Sequence, residues 1–164
     1  LFLLIPMKSW SQNLVPNGSF ECGEDLCQPF QVSDIAVFSK YACDWSVPGQ
    51  GTTDIFSTRV TDNTCYTHMP NSVASQTTGS QLPRTGQRYA GLYTYSNGLQ
   101  VNDTTSYREY LQVKLKKPIE AGRKYCAELY VSLADNSKYA ANNIGIWFNE
   151  TDAYSGDYQP LYYN

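Results

Sequence analysis

Six side chains in the second half of the chain have types that suit the binding of a polar ligand. Three are aromatic and three can form hydrogen bonds: Tyr110, Tyr130 and Trp147, and Arg108, Gln112 and Glu128. An aromatic ring offers an apolar face on which the C–H face of a sugar ring can stack. The polar side chains can bond the sugar hydroxyl groups. The set therefore predicts a glycan-binding surface, provided that the strands carrying it are neighbours.

The segments that would carry these residues show a period of two. From 107 to 115 and from 125 to 133, aliphatic side chains alternate with polar and aromatic ones, and a Pro/Gly turn joins the segments. Residues 144–148 add a further strand candidate. Such alternation is typical of an antiparallel sheet with one buried face. With the aliphatic residues in the core, the ligand candidates point outward. The alternative is that the aromatic rings pack beneath the long irregular segment of residues 22–88.

Catalytic signatures are absent from the sequence. It contains no GxSxG, HExxH, P-loop or dinucleotide-binding pattern, and His68 is its single histidine. Glu109 and Glu128 lie on adjacent predicted strands and could form a carboxylate pair for glycoside hydrolysis. Alternation places them on opposite faces, however, unless a bulge brings them together. The sequence thus predicts a protein that is not an enzyme.

The composition favours one exported β domain. The 164 residues include 14 tyrosines and only 16% charged residues, with a net charge of −3. Because the lysines and arginines are scattered, nucleic acid is not an expected partner. No helical period is sustained, and further strand candidates occur at residues 36–38, 54–60 and 89–95 and at the end of 13–21. Many short strands without helices indicate an all-β, two-sheet antiparallel sandwich or jelly roll.

The first eleven residues have the pattern of the end of a secretory signal peptide. The apolar run of residues 1–6 is too short to span a bilayer. Ser9 and Ser11 supply the small residues of a cleavage site before Gln12. The alternative is a buried first strand. We expect residues 1–11 to be a partial signal peptide, residues 12–164 to be the exported domain, and the protein not to span the membrane.

The five cysteines help to predict whether the protein works in an oxidising compartment. Four lie in the loop-rich first half of the chain and the fifth, Cys126, lies inside a predicted strand; the four are Cys22, Cys27, Cys43 and Cys65. In an exported protein such a set predicts at least one disulfide among the first four, with Cys126 free. A zinc site is disfavoured because the chain has no CxxC pair and a single histidine.

The order of the motifs resembles that of a known type of exported module. NLVPNGSFE, DWSVPGQGTTDIF, LPRTGQRYAGLYTY and a segment running from YREYLQVKLKK to NNIG follow one another between residues 13 and 148. This order resembles the N-terminal module of Gram-negative surface proteins that often precedes an OmpA-like or secretion-sorting domain. It is more distantly similar to carbohydrate-binding modules of the galactose-binding-like jelly-roll fold. The resemblance implies such a domain over residues 12–164, truncated at its C-terminus before the strands that would close the sheet.

The resemblance also implies a metal site. In similar modules, a carboxylate at the end of the NGxFE segment helps to hold a structural calcium ion. This assigns Glu21 as a calcium ligand, with Asp25 or an aspartate from the missing C-terminal part of the domain as its partner. The alternative is a glutamate that caps a turn or pairs with a lysine.

The function implied is non-catalytic glycan binding or adhesion by a module of an exported cell-envelope protein. Its partner would be a glycan or an envelope polysaccharide, and its location the periplasm, the outer membrane or the cell surface. Two alternatives stay open: a protein–protein or structural module that contacts other envelope proteins without a sugar site, and an accessory domain of a secreted hydrolase.

Thiol counting tests the predicted redox state. On the denatured, unreduced protein we expect fewer than five free thiols, because a disulfide that closes a loop of tens of residues stabilises a fold by roughly 2–4 kcal/mol. Five free thiols from the five cysteines would contradict the prediction.

Overall fold

The described part of the chain contains one short helix and four short strands. The computed structural model describes residues 12–27, 35–69, 80–94, 107–154 and 161, so the predicted signal segment, residues 1–11, lies outside it. In chain order the elements are α1 (Ile35–Tyr41), β1 (Trp45–Ser46), β2 (Asp54–Ser57), β3 (Arg88–Gly91) and β4 (Gln112–Val113).

The four strands form two small antiparallel sheets. β1 pairs with β4, with Trp45 opposite Val113. β2 pairs with β3, with Asp54 opposite Gly91. A mostly non-helical chain with short antiparallel pairs is compatible with the all-β prediction.

The main core lies between α1 and the strands that follow it. Its buried residues are Phe38, Tyr41, Ala42, Val47 and Ile55. The ring of Phe20 packs against this cluster and lies 4.9 Å from the ring of Trp45. A second cluster forms where Phe56 of β2 stacks on Tyr89 of β3, with ring centroids 5.2 Å apart.

Two disulfides connect the irregular first half of the chain. Cys22 pairs with Cys43 and Cys27 pairs with Cys65, and the chain separations are 21 and 38 residues. Cys126 is free and exposed. The prediction of at least one disulfide among the four N-terminal cysteines is confirmed. Crosslinks of this length stabilise the fold chiefly by restricting the unfolded chain.

The strand predicted at residues 36–38 is wrong, since these residues belong to α1. The helix buries Phe38 and Tyr41, and the chain buries Ala42 directly after it. Residues spaced three and four apart share one face of a helix, so this spacing brings the three side chains into the core. The helix is only 7 residues long. A segment this short gives little periodic signal, and its stability comes from packing.

The strand predicted within residues 13–21 is also wrong, because the segment forms a series of turns. Asn17 and Phe20 have φ angles of 44° and 60°, and asparagine tolerates the left-handed region better than most residues. The Asn17 side chain donates to the carbonyls of Cys22 (3.0 Å) and Cys43 (2.9 Å) and accepts from the Cys22 N–H. These bonds offer the backbone an alternative to a strand ladder.

The alternating segments in the second half are only partly strands. Of residues 107–115, only Gln112–Val113 forms a strand, and residues 125–133 and 144–148 form none. In these last two segments, the apolar side chains are exposed as well as the polar ones between them. The exposed apolar residues include Leu129, Val131, Leu133, Ile144, Ile146 and Phe148. Alternation shows which face a segment could bury, whereas a strand also needs a paired backbone and a covering layer. The described residues supply neither here.

Gly91 permits the close approach of β2 and β3. A methyl group at position 91 would lie 2.5 Å from Cε2 of Phe56. We expect Gly91→Ala to lower the free energy of unfolding by about 1–3 kcal/mol, as overpacking does. The matched control is Gly145→Ala, where a methyl group would meet no heavy atom within 4 Å. Its expected effect, measured by urea unfolding, is within about 0.5 kcal/mol. Equal effects of the two substitutions would contradict the packing at Gly91.

Candidate functional site

Tyr130 and Glu128, two of the predicted ligand residues, lie together on the surface. Tyr130 is 59% exposed, and its hydroxyl donates a hydrogen bond to the Glu128 carboxylate. The guanidinium of Arg84 lies over the ring, with its Cζ 3.2 Å from the ring centroid. The bond to Glu128 raises the pKa of Tyr130. The result is an exposed aromatic ring with a hydrogen-bond donor and an acceptor beside it, called here the Tyr130 site (Arg84, Glu128 and Tyr130).

Arg84 comes from a distant loop. A second contact joins the same two segments, since the Ser80 N–H donates to Asp135 Oδ2 at 3.0 Å. Nothing in the sequence indicates a role for Arg84, because a loop residue has no periodic signal and Tyr130 lies far from it along the chain.

Tyr110 and Gln112 lie at and beside β4 and contact the C-terminal segment. The Tyr110 hydroxyl accepts the N–H of Leu161 at 3.2 Å. Gln112 Oε1 accepts the N–H of Ala153 at 2.9 Å. Thr53 Oγ1 lies 3.3 Å from the Tyr110 carbonyl oxygen, to which it donates. The polar ends of the first two side chains are therefore used in contacts within the chain.

The remaining predicted ligand residues, Arg108 and Trp147, are exposed. Trp147 is 61% exposed, and the Arg108 side chain also faces solvent. The structure thus brings Tyr130 and Glu128 into contact, and holds Tyr110 and Gln112 in a second local group. A single platform formed by all three aromatic rings stays a prediction.

The side chain of Glu21, the predicted calcium ligand, connects the N-terminal turn to β3. Its Oε1 accepts the backbone N–H groups of Gln87 (2.8 Å) and Arg88 (3.1 Å). Its Oε2 forms an ion pair with Arg59 at 2.6 Å. A calcium ion at Glu21 would compete with these three donors for the same two oxygens. Among the described residues, no group of three or more histidine, cysteine, aspartate or glutamate side chains could hold a metal ion.

Arg88 continues this network into the interior. Its side chain is 1% exposed and pairs with Asp25 at 3.0 Å. Its Nη1 donates to the carbonyls of Tyr41 (2.8 Å) and Phe20 (3.3 Å). Burial lowers the pKa of Arg88, and the Asp25 carboxylate opposes that shift. The guanidinium stays charged because its ordinary pKa is far above neutrality.

Two further carboxylates, Asp54 and Glu109, are buried. Glu109 Oε1 accepts from the Tyr107 hydroxyl (2.8 Å) and from both the N–H and the hydroxyl of Thr52 (3.1 Å each). Its Oε2 accepts the N–H of Tyr93 at 2.7 Å. Burial raises the pKa of Glu109. Burial, with the Glu109 charge in second place, raises the pKa of Asp54 to about 8.

The carboxylate pair considered in the sequence, Glu109 with Glu128, does not form. Glu109 is buried and Glu128 is exposed, and the carboxylate on which Glu109 acts is Asp54, whose pKa it helps to raise. Alternation had placed Glu109 on the aliphatic face of its segment, which was the signal that it is buried. Nothing in the sequence indicated that Glu109 acts on Asp54 of β2, because alternation within one segment does not show which distant segment lies beside it.

Substitution of Glu21 measures how much its hydrogen bonds and ion pair stabilise the fold. We expect Glu21→Gln to lower the free energy of unfolding by about 1–3 kcal/mol, because a neutral amide pairs poorly with Arg59 and offers one acceptor oxygen instead of two. The control is Glu120→Gln, which loses an exposed ion pair to Arg123 (2.6 Å). Its cost in urea unfolding should stay below about 1 kcal/mol.

Calcium addition tests the metal assignment on the same variants. If Glu21 is a calcium ligand, millimolar calcium raises the Tm of the wild type and of Glu120→Gln but leaves that of Glu21→Gln unchanged. A wild-type Tm that does not respond to calcium would refute the assignment.

Because comparison with known proteins provides no match, the function has to be inferred from the chemistry of these side chains. No protein-family model, curated protein or solved structure matches the chain.

Proposed function

We propose that the chain is a non-catalytic glycan-binding or adhesion module of an exported protein, and that the Tyr130 site is the centre of its binding surface. The supporting observation is a ring that is 59% exposed between a cation and a carboxylate. Because Arg84 covers one face of the ring, a sugar would stack its apolar face on the other.

The polar neighbours give the Tyr130 site the donors and acceptors that sugar hydroxyls require. Arg84 can donate several N–H bonds, and Glu128 can accept. Both side chains are already in contact with the ring, by the stacked guanidinium and by the hydroxyl bond. Their positions are therefore partly fixed before a ligand arrives, which reduces the entropic cost of binding.

Export is supported by the two disulfides, which persist in oxidising compartments. No helix among the described residues has the length and apolar character to cross a membrane. The fold that we propose is a galactose-binding-like jelly roll, of which the two antiparallel pairs would be parts. The proposed location is the periplasm, the outer membrane or the cell surface, with an envelope glycan as partner.

A second candidate function, a protein–protein or structural module, is favoured by a different observation. The aliphatic residues of segments 129–133 and 144–148 are between 43% and 62% exposed. Where exposed apolar side chains adjoin one another, such a surface is typically one that another protein covers. The two candidates differ in the residues that carry binding: aromatic and polar ones in the first, aliphatic ones in the second.

Alanine substitutions distinguish the two candidates. On a glycan array we expect Tyr130→Ala to weaken binding about fivefold or more, since stacking on an aromatic ring contributes about 1 kcal/mol or more beyond area burial. Trp147→Ala is expected to weaken binding as well if its ring belongs to the platform. The Tm of each variant should barely change, because both rings are more than half exposed. Tyr139→Ala is the matched control, as this tyrosine is 85% exposed and lies outside the Tyr130 site.

Two results would contradict the glycan proposal. One is a wild type that binds no glycan on the array. The other is equal binding by Tyr130→Ala and Tyr139→Ala. Loss of a protein partner on Val131→Ser, with glycan binding absent throughout, would instead support the second candidate.

A further inference from the structure

We propose that residues 125–133 form the contact between two copies of this chain, which pair these segments as antiparallel strands around a two-fold axis at Leu129. Such a contact is isologous, because each copy offers the same segment to the other. It assigns a second copy of the chain as the partner of the exposed apolar residues in this segment. The pairing does not depend on glycan binding at the Tyr130 site.

The backbone of the segment is free to pair with another strand. From residue 123 to residue 134 the chain runs without a turn or a bend. Among the residues that the structure describes, no backbone group of residues 125–133 takes part in a hydrogen bond. A row of unpaired N–H and C=O groups on an extended, exposed segment is a template on which a strand of another chain can pair.

The side chains give the segment one apolar and one polar face, because alternate residues of an extended chain share a face. The apolar face consists of Tyr125, Ala127, Leu129, Val131 and Leu133, and the polar face of Cys126, Glu128, Tyr130 and Ser132. All of these residues are exposed. In the antiparallel pair, each apolar side chain lies beside an apolar side chain of the other copy, and such cross-strand contacts are what stabilise a sheet.

The register follows from the position of Glu128. An axis at Leu129 places Glu128 opposite Tyr130 and Cys126 opposite Ser132, so that like faces meet over the whole segment. An axis at Glu128 would set two carboxylates directly opposite each other, which is destabilising. An axis between two residues would set the apolar face of one copy beside the polar face of the other. An axis at Tyr130 would shorten the overlap between the two segments.

The charges at the two ends of the segment favour the antiparallel direction. Arg123 and Lys124 precede the segment and Asp135 follows it, and all three are exposed. Antiparallel pairing brings the basic end of each copy to the acidic end of the other, whereas parallel pairing would bring like charges together. Within its own chain Arg123 pairs with Glu120 at 2.6 Å, and Asp135 accepts the N–H of Ser80. Further guanidinium N–H groups and the second carboxylate oxygen can serve the contact between copies.

A cysteine crosslink tests the register, because Cys126 is free and exposed. With the axis at Leu129, Ser132→Cys places a second thiol directly opposite Cys126 of the other copy, within reach of a disulfide. We expect this variant to form a covalent dimer on mild oxidation, visible on a non-reducing gel. The wild type should form little of it, because its two Cys126 side chains would lie roughly 20 Å apart along the paired strands.

Ser137→Cys is the matched control. Ser137 is also exposed, but it lies beyond the end of the segment, so its thiol would be distant from Cys126 of the other copy. Equal crosslinking by Ser137→Cys and Ser132→Cys would overturn the proposal, and so would a Ser132→Cys variant that stays uncrosslinked.

Sedimentation measures the dimer without a crosslink. We expect the average mass of the wild type to rise with protein concentration. Arg123→Glu, which sets a carboxylate opposite Asp135, should weaken the dimer roughly two- to tenfold, and the added substitution Asp135→Arg should restore it. The Tm of both variants should stay near that of the wild type, because both residues are exposed. A wild type that stays monomeric at its highest soluble concentration would overturn the proposal, as would a double variant that pairs no better than Arg123→Glu.

Discussion

The buried guanidinium of Arg88 is the group on which the arrangement of the first half depends. A charge inside a protein is stable only when hydrogen bonds and an opposite charge replace its hydration. Arg88 obtains these from the turn at Phe20, from the chain at Glu24 and Asp25, and from the end of α1 at Tyr41. These partners come from the N-terminal segment and from the end of α1, while Arg88 itself belongs to β3. The N-terminal turn, the helix and β3 therefore have to be in place together for any one of them to be stable.

Polar contacts and crosslinks supplement a small apolar core. Among the residues that the structure describes, the main cluster has five buried hydrophobic residues and the second cluster has two. Glu21 and Arg88 connect the N-terminal turn to β3, while the disulfides limit the unfolded chain. Such a design suits a segment rich in Gly, Pro, Ser and Thr, where regular strands that could bury apolar faces are few.

Local chemistry was predictable from the sequence, whereas distant pairing was not. The cysteines predicted a disulfide, and the alternation placed Glu109 on the aliphatic face. By contrast, the contact of Arg84 with Tyr130 joins residues far apart in the chain, and no pattern within either segment indicates it. The helix α1 was missed because 7 residues give a weak period. The segments 125–133 and 144–148 were predicted as strands from their alternation. Alternation shows which side chains a segment could bury, but it does not show whether another layer covers them.

The order of the two disulfides has a consequence for proteolysis. Cys27 lies between Cys22 and Cys43, and Cys65 lies beyond both, so the loops closed by the two bonds overlap. Any single cut between residues 22 and 65 falls within at least one of these loops. The two pieces then stay covalently joined, and no peptide leaves until every disulfide that spans the cut is reduced. A protease acting once on this half would therefore leave the protein with its full mass and an extra pair of chain ends.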